Sequence, residues 1–148
     1  MKRYFPYLRG KLNELMALRD LSEEIAESGK VIPIIEPVRN NPNTRISLDN
    51  FIEAAMPFLL VCNPRYGDFK SRASHQVLYD EIIDPQLAEY DNWIPALQLF
   101  SDTTVVTVQN FLELYEDREV AVVYQGFPAN QRTISALSNP NIVHHAFV

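Results

Sequence analysis

Five apolar runs in this 148-residue chain run into a polar side chain. They read Ile34-Ile35-Glu36-Pro37, Leu60-Val61-Cys62-Asn63-Pro64, Ala96-Leu97-Gln98-Leu99, Val123-Tyr124-Gln125-Gly126 and Ile142-Val143-His144-His145. Glu36 carries the most chemistry. A carboxylate closing an apolar strand is costly unless it is solvated, paired or bound to a metal. Glu36 therefore reads as a general base or metal ligand, or as an ion-pair partner of Arg9 or Arg39 that orders a loop. Asn63, Gln98 and Gln125 hold corresponding places on later strands. Their amides stay neutral at every relevant pH and can orient a substrate's polar groups or a phosphate, or satisfy backbone groups at a strand end. The recurrence is the stronger signal.

The His144-His145 pair offers a titrating group near neutrality. Neighbours on a strand point to opposite faces, so only one of the two can enter a given site. His144 is taken as the candidate acid or base, with packing inside the fold as the other reading. Arg65-Tyr66-Gly67-Asp68-Phe69-Lys70 could form an anion-binding loop with an aromatic for stacking, or an ordinary charged surface loop. Arg9, Arg39 and Arg65 complete the expected ligand-binding set. Cys62 lies in an apolar run and reads as core, and His75 as exposed at a helix start. The chain holds no His-x-x-x-His, cysteine pair, Walker sequence, G-x-G-x-x-G or Gly-x-Ser-x-Gly. A structural zinc site and nucleotide binding through those glycine motifs are therefore not expected, and the residues name no cofactor.

The elements that must position these groups alternate. Near-continuous apolar runs joined by helical patterns imply parallel strands covered on both faces, where ligands meet the carboxyl ends of the strands. Strands are expected at Arg3–Leu8, Val31–Ile35, Phe58–Cys62, Ile94–Phe100, Glu119–Tyr124 and Ile142–Val148. Leu12, Leu15, Met16, Leu18, Leu21 and Ile25 mark the first helix, with Gly29 just past its end. Ser47 is the expected N-cap of a second helix through Phe51, Ile52 and Ala55. A third carries Val77, Leu78, Ile82 and Ile83 until Asp84-Pro85 breaks it and starts a further turn through Leu87 and Tyr90. A fourth carries Val108, Phe111, Leu112 and Tyr115, and a short fifth runs through Ile134 and Leu137. The fold class expected is α/β, one domain over 1–148. Either it is the first six βα units of a longer, TIM-barrel-like fold, or it is an open doubly wound parallel sheet.

Composition bounds the partners. The net charge is −6, with +2 over residues 1–74 and −8 over 75–148. That balance does not support nucleic-acid binding by the whole surface. No stretch reaches the roughly 20 apolar residues of a membrane span, and Met1-Lys2-Arg3 leads into no h-region. A lone cysteine excludes an intramolecular disulfide framework. A soluble, cytoplasmic protein is expected. An isolated six-strand barrel segment would leave open edges, so a protein partner or self-association completing the fold is expected, beside a small anionic ligand.

The opening Tyr4-Phe5-Pro6-Tyr7-Leu8-Arg9-Gly10-Lys11, then Glu14-Leu15-Met16-Ala17-Leu18 and Val31-Ile32-Pro33-Ile34-Ile35-Glu36-Pro37, resembles the start of the bacterial and phage "beta protein" family. The resemblance extends through the Asn63-Pro64 step. It implies a barrel-like fold, a chain about half the length of family members, and a role in phage-defence or mobile-element biology. It implies no reaction. These readings support two functions. One is a hydrolase or phosphoryl-ligand enzyme with Glu36 and His144 as catalytic groups. The other is a noncatalytic recognition component acting through a second protein.

Overall fold

Short, mostly apolar strands alternate with helices along this chain. The computed structural model describes residues 2–126 and 135–148. They form two compact units, Met1–Trp93 and Ile94–Val148.

In the first unit β1 (Tyr7–Arg9), β2 (Ile34–Glu36) and β3 (Phe58–Val61) lie parallel in chain order. Arg9 stands opposite Glu36, and Ile35 opposite Leu8 and Leu60. The first strand is shorter than its aromatic run suggests, because Pro6 has no N–H to donate. Only an isolated bridge, Tyr4 to Val31, continues the pairing beyond it. Helix α1 (Leu12–Ser28) ends where Gly29 takes a left-handed φ of 65°. Its buried stripe is Leu15, Leu18 and Ser22. Met16 and Leu21, expected to face inward, are half-exposed. Both lie roughly a quarter-turn or more from that stripe at 3.6 residues per turn.

Helix α2 (Pro42–Glu53) begins six residues before the start expected from a Ser47 cap. Asn41 is the cap: its side chain accepts from the Thr44 N–H at 3.1 Å, and Pro42 supplies a preset first-turn φ. Ser47 instead lies inside the helix, fully buried. Its hydroxyl donates to the Asn43 carbonyl at 2.8 Å and accepts from Arg19 Nε at 2.8 Å. Ala55 then takes a positive φ of 57° before the chain enters β3.

Ser71 and Ser74 close a reciprocal capping box at the start of α3 (Arg72–Leu78). The helical path does not break at Pro85. The chain continues as a π-helix over Tyr79–Leu87 with Pro85 inside it. A wider turn relieves the clash that a proline ring makes with the preceding α-helical turn. Val77 is exposed, while Leu78, Ile82, Ile83 and Leu87 are buried. They share the core with Phe51 and Phe58, which meet edge to face at 5.9 Å.

The second unit contains β4 (Trp93–Leu99, its first residue closing the first unit), α4 (Val105–Leu114), β5 (Val120–Tyr124) and β6 (Ile142–Phe147). Its three strands are again parallel and in chain order. Thr104 caps α4, accepting from the Thr107 N–H at 3.3 Å. Val120, Ala121, Val122 and Val123 are fully buried, the mark of a strand covered on both faces. A helical turn covers 135–137; Ile134, expected in the same helix, lies outside the described residues. The chain is thus α/β, built of repeated βα units in the manner of a partial barrel. Neither set of strands holds the reversal of order that defines a doubly wound sheet. Among the described residues no helix is long and apolar enough to cross a membrane.

Candidate anion-binding site

Strand alternation decides which groups meet at the end of the first sheet. A Cβ built on Gly10 would touch the Ile35 and Leu15 side chains at 3.6 Å, so Ile35 faces α1. Period two then turns Ile34 and Glu36 to the other face, together with Tyr7 and Arg9, their partners in register. The close approach at Gly10 has its own cause: its N–H donates to the Glu36 carbonyl at 2.8 Å. A Cβ there would stand only 3.3 Å from that oxygen.

Glu36 is completely buried. The Tyr7 hydroxyl donates to its Oε1 at 2.7 Å, and the Arg65 backbone N–H donates to its Oε2 at 2.9 Å. Arg9 Nε stands 3.9 Å from Oε1, with the arginine side chain 44% exposed. The Arg9 guanidinium lies over the exposed Tyr66 ring, its Cζ 3.8 Å from the ring centre. One edge of the guanidinium therefore faces a buried carboxylate and one face rests on an aromatic. Among the described residues no acceptor engages its Nη1 and Nη2. Such a fork is preset for a bidentate oxyanion, because little rotamer freedom is left to lose on binding.

Two loops support this arrangement. Asp68 donates its N–H to the Val38 carbonyl at 2.8 Å, and its carboxylate accepts from the Asn40 N–H at 2.8 Å. Arg39 Nη1 lies 3.8 Å from Asp68, in a pair exposed to water. Gly67 has a φ of 72°, and any Cβ there would collide with the Val38 carbonyl. Only glycine permits this contact. Acid and base in the 65–70 loop thus have separate tasks: Asp68 ties the loop to its neighbour, while Arg65 contributes its backbone to Glu36 and keeps its side chain exposed. Asn63 is half-buried just past β3. His75, expected to be exposed, is partly buried, its Nε2 lying 2.9 Å from the Pro64 carbonyl.

The second unit assembles the remaining candidates on one face. Gln98 is almost wholly buried and accepts from Gln125 Nε2. Gln98 is opposite Val123 and His144 opposite Ala121, so His144 shares their side of the sheet. His145 points the other way: its Nδ1 meets the Tyr124 hydroxyl at 2.7 Å, and the two rings stack at 5.8 Å. Burial raises the Tyr124 phenol above its ordinary value. Cys62, read as core, is only half-buried, and its thiol donates to the Leu60 carbonyl at 3.5 Å.

The sequence marked Glu36, Arg9 and Arg65 but missed Tyr7. Its signal was available, since a tyrosine two residues before Arg9 must share its face. The adjacency of Arg9 to Glu36 needed the strand register, which no local pattern supplies. Among the described residues no three or more His, Cys, Asp or Glu side chains converge on a common metal position.

The fold is α/β, built of repeated βα units, and Arg9, Tyr66 and Glu36 form a candidate site at its strand ends. No protein-family model, curated protein or solved structure matches the chain.

Proposed function

We propose that this chain is a cytoplasmic, barrel-like protein that binds a small phosphorylated or similarly anionic ligand at the carboxyl ends of β1, β2 and β3. The supporting observation is Arg9: Glu36 and Tyr66 flank its guanidinium, and its side chain is still 44% exposed. Arg65 and Arg39 add positive charge to the neighbouring loops. A hydrolase or phosphoryl-ligand enzyme would add turnover to this binding, with Glu36 and His144 as the acid–base candidates. The carboxylate favours a second reading. Both Glu36 oxygens already accept from protein donors, which suits a positioning group better than a general base. That reading is a noncatalytic recognition component of a phage-defence or mobile-element system, in line with the resemblance of the opening segment to the beta protein family.

Calorimetric titration with inorganic phosphate and with pyrophosphate at low ionic strength tests the proposal. Arg9→Met should weaken both by about tenfold or more, the usual worth of a lost charge-assisted fork. Arg9→Lys should recover only part, because an ammonium cannot reproduce two parallel donors. Equal affinity of Arg9→Met and the unaltered chain would overturn the assignment.

A further inference from the structure

A second feature of the first unit lies apart from the Arg9 fork. Between the first turns of α1 and α2 is a cavity of about 490 Å³, lined by Lys11, Leu12, Glu14, Leu15, Arg39 and Asn43 among others. Its volume lies within the range of small-molecule sites. Glu14 is the unusual member. Its Oε2 is buried without a hydrogen-bond partner, and among the described residues it has no ion pair. Buried acceptors in folded proteins are nearly always satisfied, and a charged one left unmet is the most costly kind. The missing partner is a donor, and a cation would recover the most. Two cations also line the cavity. Lys11 has no acidic partner among the described residues, and the Arg39 pair with Asp68 is long and exposed. Leu12 and Leu15 supply apolar surface between these charges.

We propose that this cavity takes a small zwitterion with an apolar body, such as a free aliphatic α-amino acid. Its ammonium meets Glu14, its carboxylate meets Lys11 and Arg39, and its side chain rests on Leu12 and Leu15. Because Oε2 is buried, a change of Glu14 rotamer, and not a half-turn about Cγ–Cδ alone, brings it to the ammonium. Arg39 borders both places, but Arg9 and the two groups that orient it, Glu36 and Tyr66, do not line this cavity, so the Arg9 fork and the cavity can be tested separately.

The test is calorimetric titration of the whole chain with L-leucine, N-acetyl-L-leucine and L-leucinamide. L-leucine should bind, and each derivative, lacking one of the two charges, should bind about tenfold or more weakly. Glu14→Gln should cost L-leucine a similar factor and leave the weak binding of the N-acetyl compound unchanged. Arg9→Met should leave L-leucine binding intact. Absence of L-leucine binding at about 10 mM, or N-acetyl-L-leucine binding as well as L-leucine, overturns the assignment. If Glu14→Gln does not fold, the three-compound series on the unaltered chain decides alone.

Discussion

Glu36 shows how much one carboxylate can organise. Fully buried, it joins the hydroxyl of β1, the backbone after β3 and the base of the Arg9 fork. Replacing it by glutamine keeps the shape but sets an amide N–H₂ against a donor. A buried donor left unmet costs about 2 kcal/mol, so Glu36→Gln should lower the melting temperature by roughly 5 °C, read by calorimetry. An unchanged melting temperature would mean that the carboxylate is dispensable for the fold. Tyr90 makes a second prediction at this scale. Its hydroxyl donates to the Met56 carbonyl at 2.7 Å and its ring stacks on Phe58. Burial raises its phenol above the ordinary value of 10.0, with the Asn92 hydrogen bond opposing in smaller part. The native chain therefore keeps this proton at pH values where the unfolded chain has lost it. The resulting stability is full below the ordinary value and falls as pH rises through the native one. Tyr90→Phe should accordingly show a shallower loss of stability above about pH 10 in urea titrations.

At the scale of elements, strain and capping are the levers. Ala55 sits at φ 57°, where a Cβ is disfavoured. Ala55→Gly should stabilise the chain by roughly 0.5 kcal/mol in urea unfolding, the relief of left-handed strain outweighing the added freedom of the unfolded chain. No gain would mean that Ala55 is unstrained. How far these elements were legible depends on what specifies them. The apolar runs and the stripe of α1 are local patterns, so strands and helices could be placed from sequence. The start of α2 could not. Ser47 is a good capping residue at the head of an apolar repeat, yet Asn41-Pro42 upstream offers a cap and a preset φ together. The π-helix was hidden for a different reason, since the apolar spacing of Ile82, Ile83 and Leu87 suits an ordinary α-helix equally well. Pro85 looked like a terminator because that inference assumes α-helical geometry. Of the candidate site, the strand-end residues were legible by type. Their grouping was not, because it rests on the pairing of Arg9 with Glu36 and on a backbone donor at Arg65.

At the scale of the whole molecule, exposed apolar surface collects on β6. Phe147 is 80% exposed and stacks on Tyr124 at 4.6 Å, with His145 on the same side of the strand and Val143 exposed at the register shift before it. No charged residue occurs from Ile142 to Val148. A strand with these properties invites association. Light scattering should find a mass that rises with protein concentration, and Phe147→Glu should suppress that rise. A concentration-independent monomer mass would show that this surface is tolerated in water. The contact of Gly67 with the Val38 carbonyl has a consequence for anyone who redesigns the chain. Because no side chain fits between them, the segments after β2 and β3 behave as one mechanical part. Peptides grafted at positions 67–69 should cost the fold its footing. Diversity introduced at Arg65 and Tyr66 should instead retune what the rim holds while leaving its support in place.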